Sequence, residues 1–132
     1  MNLLIRVKST KTHDIYDYMD GPLKNLLVVD LTRVLVGPYC TMILSDLGAR
    51  VIKVEAPDIG DDSRKFGPFI KDYSAYFMSL NRAKERNALN LKNTDDKKII
   101  DKIISKADIL VENFKPGTLE KWGYGWNDVN KK

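Results

Sequence analysis

Between Leu26 and Glu55 the hydrophobic pattern changes period twice, and this constrains the fold more than any other feature of the chain. "LLVVDL", Leu26 to Leu31, is a near-continuous apolar run, as expected of a parallel strand covered on both faces. After Gly37, Pro38 suits the first turn of a helix, where a missing N–H leaves no bond unmade. Tyr39, Met42, Ile43 and Leu47 recur at helical spacing and predict the inward face of that helix. Gly48 supplies a left-handed stop, and "RVIKVE", Arg50 to Glu55, reads as a second strand. Strand, helix and strand in so short a span make a βαβ unit with a right-handed crossover.

The alternation continues downstream. "APDIGDDSRKFGPFIKD", Ala56 to Asp72, is rich in breakers and reads as a loop. "SAYFMSLNRAK" predicts a short helix from Ser74, and "RNALNL", Arg86 to Leu91, a third strand. Thr94 is the expected cap of a helix through Lys106, with Ile99, Ile100, Ile103 and Ile104 as its inward stripe. "DILVEN", Asp108 to Asn113, predicts a fourth strand, and "PGTLEKWG" a helical turn closed by Gly123. The expected fold is α/β and Rossmann-like, with a mainly parallel sheet and flanking helices. Four strands would leave an apolar edge unpaired, so the chain, which stops at "WNDVNKK", reads as a partial domain, a fragment. Residues 1–20 carry no sustained period and are expected to be a flexible leader, with the domain over 21–132.

The 132 residues suffice for one domain, and no apolar run approaches the roughly 20 residues that span a bilayer. The net charge of +4 is spread among interspersed acids and bases. It permits a phosphorylated ligand, whereas no helix-turn-helix, zinc or RNP-type pattern supports nucleic acid. One cysteine and one histidine exclude an internal disulfide, a Cys-rich metal site, a histidine cluster and a catalytic triad. A reducing, cytoplasmic setting fits, with the mitochondrial matrix as the alternative given the basic, acid-free opening. Cys40, in the first turn of the predicted helix, reads as a small buried filler rather than a reactive thiol. Asp61 and Asp62, adjacent and without further ligands, read as loop solvation rather than metal ligands. Nothing in the spacing of Asp30, Asp46 and Glu55 makes any of them a nucleophile. The Gly-x-Gly-x-x-Gly fingerprint is missing, which speaks against a nicotinamide-dependent dehydrogenase.

Four stretches together resemble one family, the class III CoA-transferases, also called the CaiB/BaiF family. They are "LKNLLVVDLTRVLVGPYCTMILSDLGARVIKVEAP", "GDDSRKFGP", "SAYFMSLNRAKERNALNLK" and "ADILVENFKPGTLEKWGYGW", in order from about Gly21 to Asp128. The resemblance implies a much longer protein, an interlocked homodimer whose N-terminal part forms most of a Rossmann-like domain that binds coenzyme A. It implies transfer of CoA between an acyl-CoA donor and a carboxylic acid acceptor. A later aspartate attacks the thioester, giving a mixed anhydride and then an aspartyl-CoA thioester. By segment order that aspartate falls beyond Lys132, so no catalytic residue and no turnover are expected of this chain alone. The alternatives are an α-methylacyl-CoA racemase of the same family, or a non-catalytic piece that binds CoA or takes part in dimerisation. CoA or acyl-CoA is then substrate, with no permanently bound cofactor, no metal and no membrane or nucleic-acid partner.

Site residues follow from the same resemblance. The turn from Arg33 to Val36 matches one that meets CoA near the thioester, through backbone at Leu35 and Val36. Leu89, Asn90, Leu91 and Lys92 match a strand-end segment that borders the adenine nucleotide. Asn113 and Phe114 are expected to line the nucleotide pocket, with Lys115 near phosphate. Lys121 stands where relatives often carry an arginine facing the phosphates, and Ala56 where some carry another. Helix N-termini and lysines can hold the phosphates without a glycine loop.

Overall fold

The protein is described here by a computed structural model covering residues 4–7 and 21–131. Its strands are β1 (Leu4–Val7), β2 (Leu27–Asp30), β3 (Arg50–Glu55), β4 (Phe69–Ile70), β5 (Tyr73–Ser74), β6 (Glu85–Ala88) and β7 (Ile109–Glu112). Its helices are α1 (Val36–Asp46), α2 (Ala75–Asn81), α3 (Thr94–Lys106), α4 (Thr118–Lys121) and α5 (Trp126–Val129). The main sheet runs β1-β7-β2-β3-β6, and β4 and β5 form a separate two-stranded ribbon. Strands β7, β2, β3 and β6 are parallel, as the Rossmann-like expectation required.

The apolar runs become strands because the sheet is covered on both sides. Alternate residues point to opposite faces. Leu27, Val29, Ile52, Val54 and Leu110 meet Ile100 and Ile104 of α3, with Leu119, Tyr124 and Val129 from the C-terminal turns. Val28, Val51, Ile109 and Val111 form the other core with Ala49. Each fully buried aliphatic side chain contributes about 1.5–3 kcal/mol, which outweighs the modest β-propensity differences.

Several local expectations are corrected. Asn93, not Thr94, caps α3, its side chain accepting from the N–H groups of Asp95 and Asp96. Ile99 leaves the inward stripe and is exposed. The third strand ends at Ala88, so Leu89 to Leu91 lie beyond it. Strand β1 pairs antiparallel with β7, so the β7 edge is not open. The other edge, β6, reads Glu-Arg-Asn-Ala and is largely exposed, a polar edge rather than an apolar one. Apart from Leu4–Val7, the expected flexible leader lies outside the described residues.

Helix α1 is turned away from its predicted orientation. Gly37, Pro38, Thr41, Met42 and Ser45 are buried, whereas Tyr39, Ile43 and Leu47 are exposed. The reason is close approach. A Cβ on Gly37 would stand 2.2 Å from the Cβ of Thr32, so the backbone of α1 lies nearly on the end of β2. Only the small side chains at Gly37, Thr41 and Ser45, one turn apart, admit that distance. Apart from Met42, the apolar stripe then faces outward.

Candidate functional site

The strand order reverses between β2 and β7, because β3 and β6 follow β2 on one side and β7 returns to its other. In open parallel sheets such a point leaves a crevice at the carboxyl ends of the strands. A cleft of about 840 Å³ lies there, lined by Leu31 and Arg33 after β2, Val54 to Ala56 at the end of β3, Leu89 to Lys92 after β6, and Asn113 to Pro116 after β7. Gly60, Asp61, Thr118 and Trp122 complete it.

Its walls are fixed by buried charge. Lys53, 1% exposed in mid-strand, sits 3.0 Å from a carboxylate oxygen of Asp61 and 3.9 Å from Asp30. It also donates to the carbonyl of Thr32 at 2.8 Å. Asp61 accepts from the backbone N–H groups of Val34 and Ser63 and from the Ser63 hydroxyl. Burial would raise the pKa of the Asp61 carboxyl, but the Lys53 ammonium and these hydrogen bonds outweigh it and hold it below the usual carboxylate value. Asp61 is therefore a buried tie between the loop after β3 and the turn after β2, and not the solvated loop residue expected. Val34 is held by this tie in the left-handed region at φ 72°, an uncommon conformation for a β-branched residue.

A second cluster sits beneath α1. Asp30, fully buried, accepts from the N–H of Thr32 and the hydroxyls of Thr32 and Thr41, and pairs with Lys84 at 3.1 Å. Burial pulls the Lys84 ammonium below its ordinary pKa, with Asp30 opposing. Glu55 is gripped by two guanidinium nitrogens of Arg64, Nε and Nη2, at 2.7 and 2.8 Å. Asp46 pairs with Arg82. Asp30, Glu55 and Asp46 are thus all engaged in ion pairs. Cys40 is half-buried, and burial first and then Asp30 push its thiol above the ordinary pKa, with Lys84 opposing.

The strand exits are joined by Asn113. Its side-chain oxygen accepts from the N–H of Arg33 at 3.0 Å and its amide nitrogen donates to the carbonyl of Arg33 at 2.8 Å. This amide lines the cleft, and half of its hydrogen-bonding capacity is spent pinning β2 to β7. Phe114 is half-buried in the cleft wall and packs edge-to-face on Trp122, ring centroids 5.2 Å apart. Arg33 lies over Phe114 at 5.6 Å and Lys92 over Trp122 at 5.4 Å. The arrangement offers an aromatic wall flanked by cations, with the exposed Lys115 on the rim.

The cleft gathers Leu89, Asn90, Leu91, Lys92, Asn113, Phe114 and Lys115. Leu35 and Val36, exposed where α1 begins, and Lys121, exposed on α4, fall outside its lining. Sequence reasoning missed Trp122, Lys53 and the side chain of Arg33. Trp122 carried a signal, being an aromatic eight residues after Phe114 across a predicted helical turn.

Residues 23–132 match the description "CoA-transferase family III". The chain belongs to that family. It is 50% identical over 111 residues to an acetyl-CoA:oxalate CoA-transferase of Acetobacter aceti, covering 84% of this chain and 28% of that protein. It is 47% identical to a succinyl-CoA:glutarate CoA-transferase of Mus musculus, over 83% of this chain and 26% of that protein. A CaiB/BaiF family protein from Brucella suis, known from its crystal structure, superposes with a TM-score of 0.79 at 36% identity, over 86% of this chain and 31% of that one. The chain thus spans between a quarter and a third of the length of these family members. No metal-binding group of three or more His, Cys, Asp or Glu residues occurs among the described residues. No helix among them is long and apolar enough to cross a membrane.

Proposed function

We propose that this chain is the CoA-binding portion of a class III CoA-transferase, which moves CoA from an acyl-CoA donor to a carboxylic acid. The observation that carries the reading is the cleft at the β2–β7 reversal, where the segments after β6 and β7 meet. The Phe114–Trp122 pair gives the adenine ring a flat apolar contact, and Lys92 and Lys115 give its phosphates counter-charge. The turn from Arg33 leads toward Leu35 and Val36, whose backbone takes the thioester end. Lys121 remains outside this contact set.

The relatives matched are CoA-transferases by name, which favours transfer over racemisation. Oxalate and glutarate in those names point to a short dicarboxylate as acceptor. The attacking aspartate lies beyond Lys132. We infer that the full-length protein pairs as an interlocked homodimer; the exposed apolar side of α1, with Phe69, Ile70 and Tyr73 on the β4–β5 ribbon, supports cover by further chain in such an assembly. A cytoplasmic location is consistent with the single free cysteine.

Calorimetric titration of the 132-residue chain with CoA tests the binding reading. Phe114→Ala is expected to weaken binding about tenfold or more, the worth of one base–aromatic contact. Phe66→Ala, whose ring packs on Tyr76 outside the cleft lining, should change it less than twofold. Equal losses, or no heat of binding for the unaltered chain, would overturn the assignment. The purified chain is also expected to transfer no CoA between an acyl-CoA and oxalate. Turnover in that assay would place the nucleophile within these residues.

A further inference from the structure

Arg33 is anchored at its backbone and loosely held at its charged end. Both its N–H and its carbonyl are taken by the Asn113 amide, which fixes its Cα at the strand reversal. Its guanidinium reaches over the Phe114 ring and meets Asp62 at 3.4 Å, with the two side chains 50% and 48% exposed. Such an exposed pair is weak, and this one is longer than a charge-assisted hydrogen bond. The neighbouring acids offer nothing stronger, since Glu55 is held by Arg64 and Asp61 by Lys53. A guanidinium kept over an aromatic wall by a weak tether is placed to exchange that tether for a better anion. Phosphate is better, because it accepts two parallel N–H bonds in the guanidinium plane.

We infer that Arg33 is a phosphate-gripping and specificity-determining residue of the cleft, and that Asp62 competes with the ligand phosphate for its guanidinium. This rests on the CoA reading of the cleft. Lys92 and Lys115 supply charge without the planar fork, so geometric selection falls to Arg33. The phosphate gripped is either the 3′-phosphate or the diphosphate.

Titration of the chain and its variants with CoA and with 3′-dephospho-CoA tests this. Arg33→Gln, which leaves the backbone clamp intact, is expected to weaken CoA binding about tenfold, in the range of one charge-assisted phosphate contact. Asp62→Asn is expected to tighten it about two- to fivefold, and to have no effect once Arg33 is glutamine, since the competition it removes is then gone. Loss of preference for CoA over 3′-dephospho-CoA in Arg33→Gln assigns the grip to the 3′-phosphate; equal weakening of both ligands assigns it to the diphosphate. Urea midpoints of the variants within error of the unaltered chain separate these effects from folding. Unchanged CoA affinity in Arg33→Gln, or weaker binding in Asp62→Asn, would overturn the inference while the CoA reading stands. Failure of the unaltered chain to bind either ligand would overturn both.

Discussion

Replacing Lys53 with methionine is expected to destabilise the chain by about 3–5 kcal/mol, the cost of leaving a buried charge without its partner. Methionine matches the length of the lysine stem, so little packing is lost and the electrostatic consequence dominates. Asp61 would lose the ammonium at 3.0 Å, Asp30 the one at 3.9 Å, and the Thr32 carbonyl its donor. Asp30 retains Lys84, so the damage centres on Asp61. Urea denaturation measures it, and the double variant Lys53→Met/Asp61→Leu should recover part of the loss, because it removes the orphaned carboxylate. The effect carries a pH signature. In the unaltered chain the Asp61 pKa lies below its ordinary 3.8, so its contribution is present above that pH and lost as pH falls through the lower folded value. Without Lys53, burial meets less opposition and the folded pKa rises. The variant then gains relative to the parent on acidification, and the stability gap should narrow from pH 7 to pH 4. A loss under about 1 kcal/mol, or a gap that does not depend on pH, would mean that Asp61 reaches water in the folded state.

The contrast between Lys53 and the strands around it separates what the sequence conveys from what it does not. β2, β3 and β7 were legible because both faces are covered, which demands unbroken apolar runs such as Val28–Val29 and Ile109–Val111. α3 was legible because Ile100 and Ile104 repeat at one helical turn. The cleft segments at Leu89 and Asn113 were legible through family resemblance, and strand-end position gave them a physical rationale. Lys53 was not, since its partners at Asp30 and Asp61 lie on separate segments to either side of its strand and a lysine within an apolar run carries no label of what it meets. Asp61 and Asp62 look alike in sequence, yet one is enclosed by Val34, Ser63 and Lys53 and the other faces solvent beside Arg33. The face of α1 misled for a related reason. A helical period identifies an apolar stripe but not the surface that covers it, and here small residues and buried ions claim the side against the sheet.

Gly37→Ala tests that geometry, and it sets two effects against each other. Alanine is the better helix former by about 1 kcal/mol, so propensity alone predicts a stabilised α1. The new methyl, however, would stand 2.2 Å from the Cβ and 2.4 Å from the Cγ2 of Thr32. Thr32 cannot yield cheaply, being 1% exposed and bound through its N–H and hydroxyl to Asp30. The helix must therefore lift, which would stretch the Thr41 bond to Asp30 and the Lys84 bonds to the Pro38 carbonyl and the Thr41 hydroxyl. Overpacking of this kind costs about 1–3 kcal/mol and occasionally more, and a contact so short belongs at the upper end. A net loss of about 2 kcal/mol or more is expected in urea denaturation. CoA affinity should fall with it, since lifting α1 drags the turn that carries Arg33 away from Asn113. Thr32→Gly in the same chain removes the obstructing atoms, so the double variant should show a favourable coupling. A Gly37→Ala protein as stable as its parent would mean that α1 slides outward freely, and that the approach of helix to strand does not set the position of the cleft.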